Sequence, residues 1–344
     1  MKGRINVRYS AEQPIQVYRG NYLESIHDVH IAIVNASGDL LAYYGDASRL
    51  TFARSSVKPF QAVPLVQSGA METFHLTERE LALFCASHSG ESFHREAVAE
   101  VLAKLDLQED DLQCGTHMPH DTASARQLMR EGEEPTPVYS NCSGKHTGML
   151  AACVKQDLDL ATYRDVSHPY QQQIMNAIAD ISCFKRDAIA TSVDGCGVPV
   201  HRLPLYNVAR AFANLAAPKD DDSQGQALKR INEAMTAYPE MVAGTKRFDT
   251  DLMGAFEGRL VAKGGAEGVH CFGDKERGVG AAIKIEDGDV RGTSVAALEV
   301  LQQLGIGDET TYELLADYHV APVLNARKDK IGRIEADFQL NVLR

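Results

Sequence analysis

Two short apolar runs near the front of the chain, V-H-I-A-I-V at 29–34 and L-L-A-Y-Y at 40–44, flank the turn-rich segment N-A-S-G-D, and strand-like texture returns only after residue 260. A loop of such residues between two alternating runs reads as an antiparallel ribbon. Later strands are expected at 260–262, 268–272 and 279–285, the last closed by the turn E-D-G-D, with a final one near 334–340. The stretch between, about 60–255, carries mostly helical periodicity, with helices expected at 93–105, 169–181, 204–216 and 226–237, and one more at 294–304. Pro59 suits a first helical turn and Gly69 a left-handed stop, while Thr77 and Glu80 form a capping box before L-A-L-F-C-A. Strands at both ends around a helical middle predict an α+β fold, with an antiparallel sheet built from N- and C-terminal segments and the helices packed on it or inserted as a lobe. Neither a Pro- or Ser-rich linker nor an internal repeat divides residues 1–344, which read as one catalytic domain. Residues 217–225 form the best candidate for a long exposed loop.

Charge and cysteine usage narrow the classes further. Thirty-five Lys and Arg against 47 Asp and Glu leave a net charge of −12, which repels nucleic acid and anionic lipid. The charged start M-K-G-R-I-N-V-R-Y-S lacks a signal peptide's apolar stretch, and no later run reaches the roughly eighteen apolar residues of a membrane helix. A cytoplasmic protein is expected. Seven cysteines, at 85, 114, 142, 153, 183, 196 and 271, make an odd set without C-x-x-C spacing, so a disulfide scaffold is not expected. Cys85, Cys153 and Cys183 read as small buried hydrophobes.

Three groups of residues can carry chemistry. In R-S-S-V-K-P-F, Ser55 and Lys58 stand at i and i+3, which places hydroxyl and amine on one helical face so that the lysine can take the serine's proton. This S-x-x-K spacing also occurs in penicillin-recognising enzymes. The alternative is an exposed helix start with solvated ends, and Ser182-Cys183-Phe184-Lys185 shows how easily the spacing arises by accident. Ser87-His88-Ser89-Gly90 and Ala262-Lys263-Gly264-Gly265 follow in the order of the second and third polar elements of such enzymes. They can equally be loop hydroxyls with a turn histidine, and a glycine bulge. Ser140-Asn-Cys-Ser-Gly-Lys-His146 and Asp194-Gly-Cys-Gly-Val-Pro199 can bring two thiolates to a metal, with Lys145, His146 or Asp194 completing the shell, or can be two glycine-rich turns with buried thiols.

Taken together, the strings R-S-S-V-K-P, S-H-S-G-E, C-S-G-K-H-T-G-M, D-G-C-G-V-P and K-G-G-A-E-G, spread from 54 to 268, resemble those of the rhizobial-type, or thermolabile, L-asparaginases. The resemblance implies a fold like the serine β-lactamases and penicillin-binding proteins, a homodimer, two serine–lysine pairs and a Zn2+ site. Carried onto this sequence, it makes Ser55 the nucleophile with Lys58 as base, and Ser87 with Lys263 the second pair. The zinc ligands become Cys142, Lys145 and Cys196, with Asp194 beside them and a water in the open position. A lysine ligand must first lose its proton.

The expected reaction is hydrolysis of L-asparagine to L-aspartate and ammonia through an acyl-enzyme on Ser55, with backbone N–H groups of the following turn stabilising the oxyanion. Arg54 is expected to pair with the substrate's α-carboxylate, Asp194 or the metal-bound water to receive its α-ammonium, and His88 to stand with them at the substrate. Two rival readings remain at this point: another serine–lysine amidohydrolase of β-lactamase or DD-peptidase type, and a non-catalytic zinc- or redox-binding protein built on Cys142 and Cys196.

Overall fold

The computed structural model describes residues 13–219 and 222–343. The charged start at 1–10 and positions 220 and 221 of the expected 217–225 loop lie outside the described residues. That loop also ends earlier than expected, because Asp222 caps a helix over Ser223–Ala237 by accepting the Gly225 N–H at 2.7 Å.

The α+β class and the assembly of antiparallel sheet from both chain ends are borne out. In the six-stranded sheet the order is Asn341–Val342, Leu40–Tyr44, Val29–Asn35, Val279–Ile285, Val269–Asp274, Leu260–Gly265, so N-terminal strands lie directly against C-terminal ones. Neighbouring strands of this sheet are antiparallel, with Ile31 facing Ile283 and Ala282 facing Cys271. A second sheet of four strands repeats the principle, pairing Ile15–Arg19 with Tyr22–His27 on one side and Lys330–Ala336 on the other. The last expected strand is therefore split: its first half belongs to this second sheet, and only Asn341–Val342 joins the large one. Unforeseen is a three-stranded sheet within the helical region, where Pro199–Pro204 lies between Leu50–Phe52 and Ala190–Val193.

The helix Leu205–Ala216 lies on the large sheet, packing its buried Val208, Ala209 and Phe212 against the strands 29–35, 269–274 and 279–285. Its approach depends on two glycines that face one another across neighbouring strands, Gly273 and Gly280. A Cβ on Gly280 would stand 2.1 Å from Ala209 O, and one on Gly273 would stand 2.5 Å from Phe212 O. Both obstacles are backbone, so the helix would have to lift. Gly280→Ala is accordingly expected to cost about 1–3 kcal/mol of stability, readable in a urea titration; an unchanged midpoint would show that the helix can move away freely.

Local expectations hold where the signal is short-range. The Thr77–Glu80 capping box is formed, with Glu80 N donating to Thr77 Oγ1 at 3.3 Å and Thr77 N to Glu80 Oε2 at 2.7 Å. Gly69 takes φ 76°. The helix expected between Pro59 and Gly69 is divided into Lys58–Gln61 and Val63–Gln67, since Pro64 has no N–H to continue the ladder. Cys85 and Cys153 are buried as expected, but Cys183 is exposed: it ends the helix Pro169–Ser182 in a left-handed conformation, φ 50°, which turns it to the surface. Among the described residues no helix is long and apolar enough to cross a membrane.

Candidate active site

Ser55 lies on the 3₁₀ turn Arg54–Val57, and Lys58 caps that turn, its N–H donating to Ser55 O, as it begins the helix Lys58–Gln61. Three residues per turn eclipse i and i+3, so the two side chains leave the backbone in the same direction. Ser55 is partly exposed and its Oγ makes no hydrogen bond among the described residues. Lys58 is 1 % exposed and donates to Ala86 O at 2.5 Å, Ser87 Oγ at 2.9 Å and Cys142 Sγ at 3.2 Å. The amine thus meets the second serine, rather than the first, across 29 residues of chain. The accidental match at Ser182 has a different setting altogether: its hydroxyl faces its own helix at Ala179 O, and its carbonyl accepts from Asn207.

Lys263, also 1 % exposed, reaches the site from the edge strand Leu260–Gly265 and donates to Gly264 O at 2.8 Å. Burial pushes its ammonium down to about 8, the Asp249 carboxylate 3.9 Å away pushes it back up, and the charges of Lys58 and Arg247 push it down again. The two glycines that follow have separate reasons. A Cβ on Gly265 would come within 3.1 Å of Ala53 O and 3.3 Å of Ser56 N, so this glycine lets the strand lie against the turn that carries Ser55. At Gly264 the space is taken by Asp249, whose Oδ2 accepts the Gly264 N–H at 2.8 Å.

The loop S-H-S-G-E is a bracket. Ser87 N donates to Val242 O, Ser89 Oγ to Ala243 O, and Glu91 receives both N and Oγ1 of Thr245 at 2.8 Å, which fixes the turn 242–245 and the Arg247 and Asp249 beyond it. Arg247 donates to Ser89 Oγ at 3.2 Å. His88, expected at the substrate, is fully buried and stacked on His94 at 4.8 Å. Gly90 N donates to its Nδ1, which leaves the proton on Nε2 to donate to Ser143 Oγ at 2.9 Å. Burial drives its pKa well below the ordinary value, so it is a neutral tie between this loop and the helix Ser143–Lys155.

That helix comes close because Gly144 and Gly148 face the helix Glu78–Phe84: a Cβ at 144 would lie 2.5 Å from Leu83 O, and one at 148 would lie 2.8 Å from Phe84 Cγ. The same approach carries Cys142 to Lys58. Cys196 arrives from the hairpin turn Asp194–Pro199, closed by Asp194 N on Val198 O and Gly197 N on Asp194 O, both 2.9 Å. Lys145 donates to Cys196 Sγ at 2.9 Å. The hydrogen bond from Cys142 holds Cys196 down to about 4 against the effect of burial, helped by the charge of Lys145, while Cys142 is raised to about 11. Burial opposes the Lys145 ammonium, and the two sulfurs more than restore it. His146 is not part of this group; its Nδ1 meets Tyr163 Oη at 2.5 Å.

At the mouth, Arg54 takes φ 51° and its Nε donates to Asp194 Oδ1 at 3.0 Å, with Glu267 3.9 Å away. Both members of the pair line a groove of about 430 Å³, together with Phe52, Val200, Arg202 and Glu267. Sequence reasoning missed Asp249 and Arg247 on the turn after 245. R-F-D has no motif spacing, and its partners lie 15 and 158 residues away.

A partly exposed serine hydroxyl one 3₁₀ turn ahead of a buried lysine, with a second buried lysine on the neighbouring edge strand, is a grouping that suits a hydrolase. The sequence model of the family described as L-asparaginase II matches residues 15–336, and the chain belongs to that family. It is an amidohydrolase that converts L-asparagine to L-aspartate and ammonia, which decides against both the β-lactam and the non-catalytic readings. No curated protein matches the chain. Among solved structures it is similar to a β-lactamase from Mycobacterium bovis (13% identity, 85% of this chain and 95% of that one, TM-score 0.38). It is also similar to a protein described as a β-lactamase from Bacteroides dorei (10% identity, 80% and 94%, TM-score 0.40).

Proposed function

We propose that the hydrolysis runs through an acyl-enzyme on Ser55, carried by one observation: its Oγ is partly exposed and without a partner among the described residues, one turn ahead of a buried lysine that already holds a second serine at 2.9 Å. Ser55 Oγ attacks the side-chain amide carbon and passes its proton to Lys58. Ser87, on the same amine, relays that proton to the departing nitrogen, so ammonia leaves neutral. Water then enters, gives a proton back through the same chain and releases aspartate. Lys263 is the fixed cation facing the charge that develops, and the N–H groups of the 54–57 turn receive the oxyanion. Rapid acid quenching during turnover, followed by peptide mass analysis, should find one aspartyl group on the peptide holding Ser55. The same mass gain on Ser87 alone would exchange the roles of the two serines.

The Arg54–Asp194 pair suits a zwitterion, since each partner can trade the other for the substrate group of opposite charge: α-carboxylate for Arg54, α-ammonium for Asp194. The Asp194 carboxylate is opposed by burial but kept ionised by Lys145, the Gly195 N–H and Arg54. Asp194→Asn should raise KM for asparagine about tenfold or more with a much smaller change in kcat. An unaltered KM would remove Asp194 from the substrate's amino group.

Cys142, Cys196 and Lys145 fit a zinc ion by their chemistry: two sulfurs hydrogen-bonded to one another, one of them readily a thiolate, with an amine 2.9 Å from it. Among the described residues no three Cys, His, Asp or Glu side chains gather for a metal, and Lys145 would serve as third ligand only after loss of its proton. When bound, the ion would supply a positive site that orients the substrate. Zinc removal by a chelator should therefore raise KM while kcat stays within about twofold, and elemental analysis of native protein should find the metal; a zinc-free preparation with an ordinary KM would count against the site. A cytoplasmic homodimer is part of the same reading; the seven free cysteines suit a reducing compartment and bear on that part of it alone.

A further inference from the structure

The strongest feature that the reaction above does not use is a largely buried carboxylate behind Lys263. Asp249 lies at the start of the helix Phe248–Ala255 and touches both strands of the sheet's edge pair, Gly264 and His270, which face one another across the ladder. Its Oδ2 accepts from Gly264 N at 2.8 Å, its Oδ1 meets His270 Nε2 at 2.9 Å, and Oδ2 stands 3.9 Å from Lys263 Nζ. Leu260–Gly265 is an edge strand, so the Gly264 N–H has no neighbouring strand to serve, and the carboxylate satisfies it. The absence of a side chain at 264 is what admits the carboxylate, since a Cβ there would already be 3.4 Å from Oδ2.

We infer that Asp249 is a positioning residue for the reaction, acting through Lys263: it anchors the strand end that carries the lysine and supplies the counter-charge that keeps Lys263 an ammonium in the working pH range. Besides Asp249, Lys263 faces the charges of Lys58 and Arg247, which oppose its ammonium, and the sulfurs of Cys85 and Cys142, of which Cys142 favours it more weakly than Asp249 does. Asp249 itself faces His270 and Lys263, with Cys271 and Tyr318 within electrostatic reach. Burial acts against its charge, yet the hydrogen bond and charge of His270, the Lys263 ammonium and the Gly264 N–H together hold it well below the ordinary carboxylate range.

The direction of the pH effect follows. Lys263 sits at about 8 with burial lowering it and Asp249 raising it. Without the carboxylate the ammonium form is lost at lower pH, and activity that needs the cation falls earlier as pH rises. The inference rests on reading Lys263 as the cation of the site.

Asp249→Asn is the test, and the pocket can accommodate it. Asn Oδ1 can still accept from Gly264 N, and its Nδ2 can donate to His270 Nε2 if the ring proton moves to Nδ1, a buried nitrogen with no partner of its own. The pH profiles of kcat and kcat/KM for asparagine are measured on native enzyme, Asp249→Asn, Asp249→Glu and Lys263→Met. The inference expects the alkaline limb of Asp249→Asn to move acidward by about one pH unit or more, with kcat at pH 8 down about tenfold and KM within about twofold. Asp249→Glu should return the limb toward its native place. An Asp249→Asn enzyme whose profile keeps its shape, merely scaled down, would overturn the inference and leave the residue a purely structural tie. If Lys263→Met retains full activity, it is the reading of Lys263 as the site's cation that fails.

Discussion

Ser55→Ala is expected to lower ammonia release from L-asparagine by about four orders of magnitude while leaving the unfolding midpoint within about 0.5 kcal/mol of native. The first figure follows from losing the atom that forms the covalent bond; what remains is the contribution of binding and of the oxyanion donors. The second follows from the structure, because the Ser55 hydroxyl holds nothing in place and is partly exposed. A loss of activity without loss of stability separates a nucleophile from a structural hydroxyl. Normal turnover by this variant would remove Ser55 from the role altogether.

Lys58→Met should be nearly as damaging to rate, about three orders of magnitude, but with a different physical signature. Methionine matches the length of the lysine stem and fills the same buried channel, so little volume is lost. Three acceptors, Ala86 O, Ser87 Oγ and Cys142 Sγ, lose their common donor, however, and a buried carbonyl without a partner costs about 1–3 kcal/mol. The variant should therefore be both slow and less stable, and it should fail in acylation, giving no ammonia burst in a single turnover. A burst of normal size followed by slow release would move Lys58 from the first half-reaction to the second.

How far the sequence revealed this arrangement depends on the range of each interaction. The capping box at 77–80, the hairpin at 29–44 and the left-handed Gly69 are local signals, and all are found where expected. Ser55 and Lys58 are legible as one turn, and Lys263-Gly-Gly as the end of a strand. Which serine the buried amine holds was not legible. Spacing suggests Ser55, but the packing of Gly144 and Gly148 against the helix 78–84 draws Ala86, Ser87 and Cys142 around Lys58. The strand Ala190–Val193 escaped notice because all four residues are exposed, so it has no alternation of buried and open positions to read. Asp249 escaped because its effect depends on a missing side chain at Gly264, and one sequence does not show what an absent Cβ makes room for.

The Lys58 amine has a consequence for timing. A nitrogen that gives a hydrogen to each of three atoms has no lone pair left, so it cannot take the Ser55 proton until one of those hydrogens has gone and one of those atoms has let go. The resting enzyme is therefore a latched one, and the arrival of asparagine must release the catch before any bond is broken. A structure with substrate in place would show Lys58 Nζ parted from Ser87 or Cys142; an amine still gripping all three, with Ser55 nonetheless acylated, would mean that no such release is needed.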